Sequence, residues 1–232
     1  MLFRRDAFMV RDEGRSFLDQ LYESAPARRR EGRAYLRRLM IHEVFPALVG
    51  GFVAYRHRRL GVPDEDAASL RLIKQASLSL LARILFLVVA EARCLLPSDD
   101  PDYHAHSLTS LLLWAEACAQ GDIPPNPGLY TTPRYDLLLS LLHRINAGDA
   151  SKSLPEYGPV FFDPAIEPVH AFIAEHRLSD AVLAEVLTPL RREIDGTSFD
   201  AYELVAVLEP LLDVDVQVVD AAMGEVAVVD DP

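Results

Sequence analysis

Apolar residues recur along most of this chain at intervals of three and four, the spacing of a helix with one buried face. From Gly32 to about Leu60, Leu36, Leu39, Met40, Val44 and Leu48 form such a stripe, and Pro46 with Gly50-Gly51 predicts a kink or break within it. The segment from Asp66 to Leu96 is the best-defined helix, and its second half is apolar nearly all round. Such a helix in a water-soluble fold is enclosed by others. Leu108, Leu111, Leu112, Ala115, Cys118 and Ala119 repeat the helical spacing, with Gly121 placed as a C-cap. Leu138, Leu141, Leu142 and Ile145 do so again before Gly148. Ser179 is positioned to cap a further helix, and Pro189 and Pro210 are expected to shorten or kink the last two. The period then changes. Val214, Val216 and Val218 alternate with polar residues, as do Val226 and Val228 beyond Gly224, which predicts a short β-hairpin in competition with a frayed acidic tail.

The expected fold is therefore mainly α, a multi-helix orthogonal bundle around a buried central helix at about 66–96, closed by a short C-terminal β-hairpin. Three stretches make one domain: an Arg-rich helical segment (1–60), a helical core (61–212) and an acidic tail (213–232). No signal peptide is expected, because charges occupy the place of a secretory apolar core. No membrane span is expected either: only eight uncharged residues separate Lys74 from Arg83, and seven separate Arg83 from Glu91. A spanning helix needs about 18. Cys94 and Cys118 are too few for a disulfide framework or thiolate zinc site and, both on predicted helices, read as reduced core thiols of a cytoplasmic protein.

Charge is divided unevenly along the chain. Residues 1–60 hold 13 Arg and no Lys against 7 acids, although the net charge is −12. After Arg192 there are eleven acids and no base. Any contact with double-stranded DNA belongs to the basic third, where Arg28, Arg29, Arg30, Arg33, Arg37 and Arg38 are the candidates for phosphate contact. Solvated helix faces are the competing explanation, and overall acidity opposes autonomous DNA binding.

Charged residues inside the apolar rod need a reason. Arg83 and Glu91 are expected to be buried or half-buried polar anchors that tie the central helix to its neighbours, since buried charge persists when paired. The alternative is snorkelling at the helix edge. Asp102, His104 and His106, in "DDPDYHAH", could hold a metal if the loop folded back, but a solvated capping loop is commoner and no metal is expected. His143, His170 and His176 read as surface or packing residues. Neither a Gly-rich phosphate loop nor a Gly-x-Ser-x-Gly elbow is present.

The stretch "LLARILFLVVAEARCLLP" resembles a helix of type IIG-like restriction–modification DNA (adenine) methyltransferases and related phage-defence methyltransferases, where it ends "AEARGLLP". In order, "LMIHEVFPALVGGFVAYR", "RYDLLLSLLHRINAGD", "LPEYGPVFFDP", "LSDAVLAEVLTPLRREID" and "YELVAVLEPLL" resemble further segments of the same proteins, across roughly residues 35–215. The departures are Cys94 in place of a glycine, Pro159 and Val160 for the paired glycines of a loop, and Leu208 and Pro210 for a tyrosine and a glycine.

The family's S-adenosylmethionine turn, its Asn-Pro-Pro-Tyr loop and its nuclease motif do not occur. The resemblance thus implies the helical front part of such a protein, without cofactor or catalytic residues. It would be a scaffold or connector for a methyltransferase catalytic module. Two alternatives stand beside it. One is a separately encoded subunit that docks on a methyltransferase through its acidic half and hairpin edge. The other, less favoured, is a metal-dependent hydrolase built on the Asp/His loop.

Overall fold

A computed structural model describes residues 32, 34–123, 131–148, 154, 156, 168–194 and 201–230. The helices are α1 (Phe45–Tyr55), α2 (Ala67–Ala92), α3 (Pro101–His104), α4 (Leu108–Gln120), α5 (Pro133–Ala147), α6 (Pro168–Glu175), α7 (Asp180–Glu193) and α8 (Ala201–Leu212). Strands β1 (Val214–Asp220) and β2 (Glu225–Asp230) follow. The chain is mainly helical with a C-terminal antiparallel hairpin, as the apolar periodicity predicts.

The first rod does not break at Pro46 or at Gly50-Gly51. It runs from 34 through α1 to Leu60, with π-helical turns at Met40–Val44 and Arg56–Leu60. A proline ring collides with the carbonyl four residues back in an α-helix; the wider π turn that precedes Pro46 relieves that collision. The glycine pair serves packing. A Cβ on Gly50 would lie 2.0 Å from the carbonyl oxygen of Gly224, and one on Gly51 would lie 2.7 Å from Val182 Cγ1. Hairpin turn and α7 both approach the rod where it has no side chains. Gly224, with φ 73°, is equally constrained: its own Cβ would stand 2.5 Å from the Gly50 carbonyl oxygen.

Helix α2 is the centre, packed against α1, α4, α6 and α8. Asp66 caps its start by accepting a 2.6 Å hydrogen bond from the Ser69 amide, which holds that carboxyl below the usual range. By length and composition α2 could cross a membrane, yet 56% of its most apolar window is buried within the fold. It ends at Ala92 instead of Leu96. The Leu95 amide donates to the Ala90 carbonyl (2.9 Å) and the Cys94 amide to the Glu91 carbonyl (3.1 Å), the paired bonds of a Schellman turn. Cys94, expected on the helix and in the core, therefore lies beyond α2 and exposed, at the left-handed position with φ 54°, alone among the described non-glycine residues. Ser107 and Ser179 cap α4 and α7, and Gly121 and Gly148 close α4 and α5 with positive φ.

Pro189 and Pro210 do not end their helices; each lies inside one. Pro189 is in the last turn and a half of α7 and Pro210 in the last turn of α8, so few hydrogen bonds are at stake. The hairpin pairs Val214 with Asp230, Val216 with Val228 and Val218 with Val226. Val214 and Val216 are buried, and Val226 and Val228 pack on the same core. Its register shifts between Val218 and Asp220, leaving Val219 exposed.

Candidate functional site

Arg28, Arg29, Arg30 and Arg33 lie outside the described residues. Arg37 and Arg38 are exposed on the turn between buried Leu36 and buried Leu39, so the rod directs them to solvent. Arg58 and Arg59 stand at its far end, half-buried and exposed respectively.

Arg83 and Glu91 are both buried, with 3% and 6% of their surfaces exposed. Arg83 lies within electrostatic reach of the Tyr135 hydroxyl, whose proton burial holds far more tightly than usual. Glu91 has a defined task. Its Oε1 accepts from the Tyr103 hydroxyl (2.9 Å) and the Leu108 amide (2.8 Å). Its Oε2 accepts from the Thr109 amide (2.8 Å) and hydroxyl (2.7 Å). Those amides are in the first turn of α4, so the carboxylate of one helix caps the next from a buried position. Asp180 repeats the device: its Oδ1 accepts from the Arg134 amide in the first turn of α5 (3.0 Å). Burial pushes the Asp180 carboxyl above its usual value, against the pull of that amide and of Arg134.

The Asp/His loop is built around a helix cap. Asp100 caps α3 by accepting from the Asp102 and Tyr103 amides. His106 turns its Nδ1 onto the Asp102 carbonyl oxygen at 3.1 Å. His104 is the last residue of α3. Among the described residues no three His, Cys, Asp or Glu side chains stand together as metal ligands.

His176 is a packing residue with a fixed proton. It stacks on Phe172 (centroids 3.7 Å, planes 10° apart), and its ring centroid is 5.7 Å from that of Tyr55 in an edge-to-face arrangement. Its Nδ1 is 2.9 Å from the Phe172 carbonyl oxygen and donates to it, while Nε2 faces Arg56 Nη1 at 3.4 Å. Only a neutral ring satisfies both. Burial, with help from the Arg56 charge, lowers its proton affinity. Arg56 is itself held by Glu65, Nε to Oε1 at 2.7 Å.

One concavity among the described residues is not singled out by sequence patterns. A cleft of 670 Å³ opens between the end of the rod, the start of α7 and the hairpin turn. Arg58, Arg59 and Arg177 line it with the hydroxyls of Thr132 and Ser179, over a floor of small residues from α1. "YRHRR" is visible as a basic run, but Arg177 joins it through folding alone.

Comparisons with protein-family models, with curated proteins and with solved structures give no match to this chain.

Proposed function

We propose that the chain is a helical scaffold or connector of a DNA restriction–modification or phage-defence methyltransferase system, working beside a methyltransferase catalytic module in the cytoplasm. The observation that carries the reading is Cys94. In the resembled family a glycine follows "AEAR", and here the residue after "AEAR" has φ 54°, a conformation that favours glycine. A glycine would fit this left-handed position without strain, which supports the resemblance. The rod supplies a role for the scaffold: Arg37 and Arg38 face solvent near its start and are suited to duplex phosphates, which fix position without reading sequence.

The test is binding of this polypeptide to duplex DNA across a salt series. Affinity should fall as salt rises, and replacing both Arg37 and Arg38 by Ala should reduce the logarithmic slope by about 1.8, at about 0.9 per phosphate contact. Binding indifferent to salt, or none above background, removes the DNA role. A second reading is favoured by the hairpin, where Val219 and Met223 are 66% and 64% exposed beside a strand edge that pairs with no further strand among the described residues. In that reading the chain is a separate subunit that docks on its methyltransferase there. Co-purification lost with Val219→Lys supports it; retention by that variant counts against it.

A further inference from the structure

We infer that the cleft between α1, α7 and the hairpin turn binds a small phosphorylated ligand of nucleotide size. Its volume, 670 Å³, lies in the range of small-molecule sites, about 300–1,000 Å³. Three guanidinium groups reach it from separate parts of the chain: Arg58 and Arg59 from the last turn of the rod, and Arg177 from the segment before α7. That convergence is long-range, and two carboxylates, Glu185 and Glu225, line the cleft beside it.

The arginines differ in what holds them. Arg177 is braced: its Nε meets Asp136 Oδ1 at 2.7 Å, and its Nη1 donates to the Ala174 carbonyl. Asp136 in turn accepts from the Thr132 hydroxyl at 3.1 Å, so the brace and the cleft wall are one network. Arg58 is uncommitted by comparison. Among the described residues it finds the Met223 thioether at 3.9 Å and no carboxylate. A half-buried guanidinium next to a weak acceptor is ready to exchange it for a phosphate oxygen, the stronger charge-assisted partner.

The remaining lining specifies more than an inorganic anion. Glu185 and Glu225 would repel a bare phosphate but can accept hydrogen bonds from hydroxyl or amino groups. Tyr55 and Val182 offer apolar surface. A phosphate joined to a hydroxyl-bearing, partly apolar body meets all of these at once. The site is separate from the exposed arginines proposed to meet DNA, and it does not require that reading.

Calorimetric titration of the whole chain tests this, using inorganic phosphate, adenosine and the four common ribonucleoside 5′-monophosphates as probes. At least one monophosphate should bind saturably and at least tenfold more tightly than either phosphate or adenosine. Arg58→Ala and, separately, Arg59→Ala should each weaken it by tenfold or more. Arg191→Ala, outside the cleft, should leave it unchanged. Melting curves for each variant report folding independently of binding. No saturable binding of any monophosphate at millimolar concentration overturns the inference. So does equal binding of phosphate and monophosphate, or tight binding that survives both cleft substitutions in folded protein.

Discussion

Replacing Cys94 by glycine should stabilise the protein. Cys94 holds φ 54° at the left-handed position of the turn after α2. An L-residue with a Cβ pays roughly 1–2 kcal/mol for that conformation, and glycine pays almost none. Glycine loses more backbone freedom on folding, which offsets roughly 0.5–1 kcal/mol. The Cys94 side chain is exposed, so its removal forfeits little packing. The net expectation is a gain of about 0.5–1 kcal/mol, or roughly 1–4 °C in melting temperature for a chain of this size. Urea unfolding and thermal melting of Cys94→Gly and Cys94→Ala give the answer, because alanine removes the thiol but keeps the Cβ. Glycine should stabilise and alanine should not. A glycine variant less stable than the parent, or an alanine variant equally improved, refutes the assignment of strain to this turn.

Gly50→Ala should cost more than 3 kcal/mol or undock the hairpin, because its Cβ would stand 2.0 Å from a backbone oxygen that has no flexible side chain to move; amide exchange in β2 reads the undocking. His176 has a lowered proton affinity, so between its ordinary value, 6.5, and its folded value the unfolded chain binds more protons. Stability is then full above 6.5 and falls as pH drops through that window, and His176→Phe should flatten the dependence in urea titrations. Asp180 works in the opposite sense. Its raised value means that the folded chain binds more protons just above 3.8, so stability declines as pH rises there; Asp180→Asn, which can still accept from the Arg134 amide, should abolish that decline.

What could be read from sequence divides by the range of the interaction. The caps Asp66, Ser107 and Ser179 and the closing glycines Gly121 and Gly148 act on residues three or four positions away, and such spacing is visible in one dimension. Hairpin alternation is local too. Gly50-Gly51 misleads because the reasons for it are distant, at Gly224 and Val182. The central helix is overextended in a sequence reading because "CLLP" continues the apolar run, whereas Cys94 has already turned the backbone. Glu91 is legible as a buried polar group but its partners are not, since Leu108 and Thr109 become neighbours only when α4 folds back. The cleft is the extreme case. Arg58 and Arg177 are 119 positions apart, and no pattern in either segment announces the other.

The account depends on Glu91 serving as the brace between the central rod and the helix beside it. Its four accepted bonds occupy both oxygens, and glutamine can offer only one oxygen while turning an NH₂ group toward the remaining donors. Glu91→Gln should therefore lose about 2–4 kcal/mol in urea unfolding, given roughly 1.5–3 kcal/mol for a hydrogen bond to a charged group. Amide exchange at Leu108 and Thr109 should accelerate with it. A variant with undiminished stability and protected amides at both positions would contradict the account.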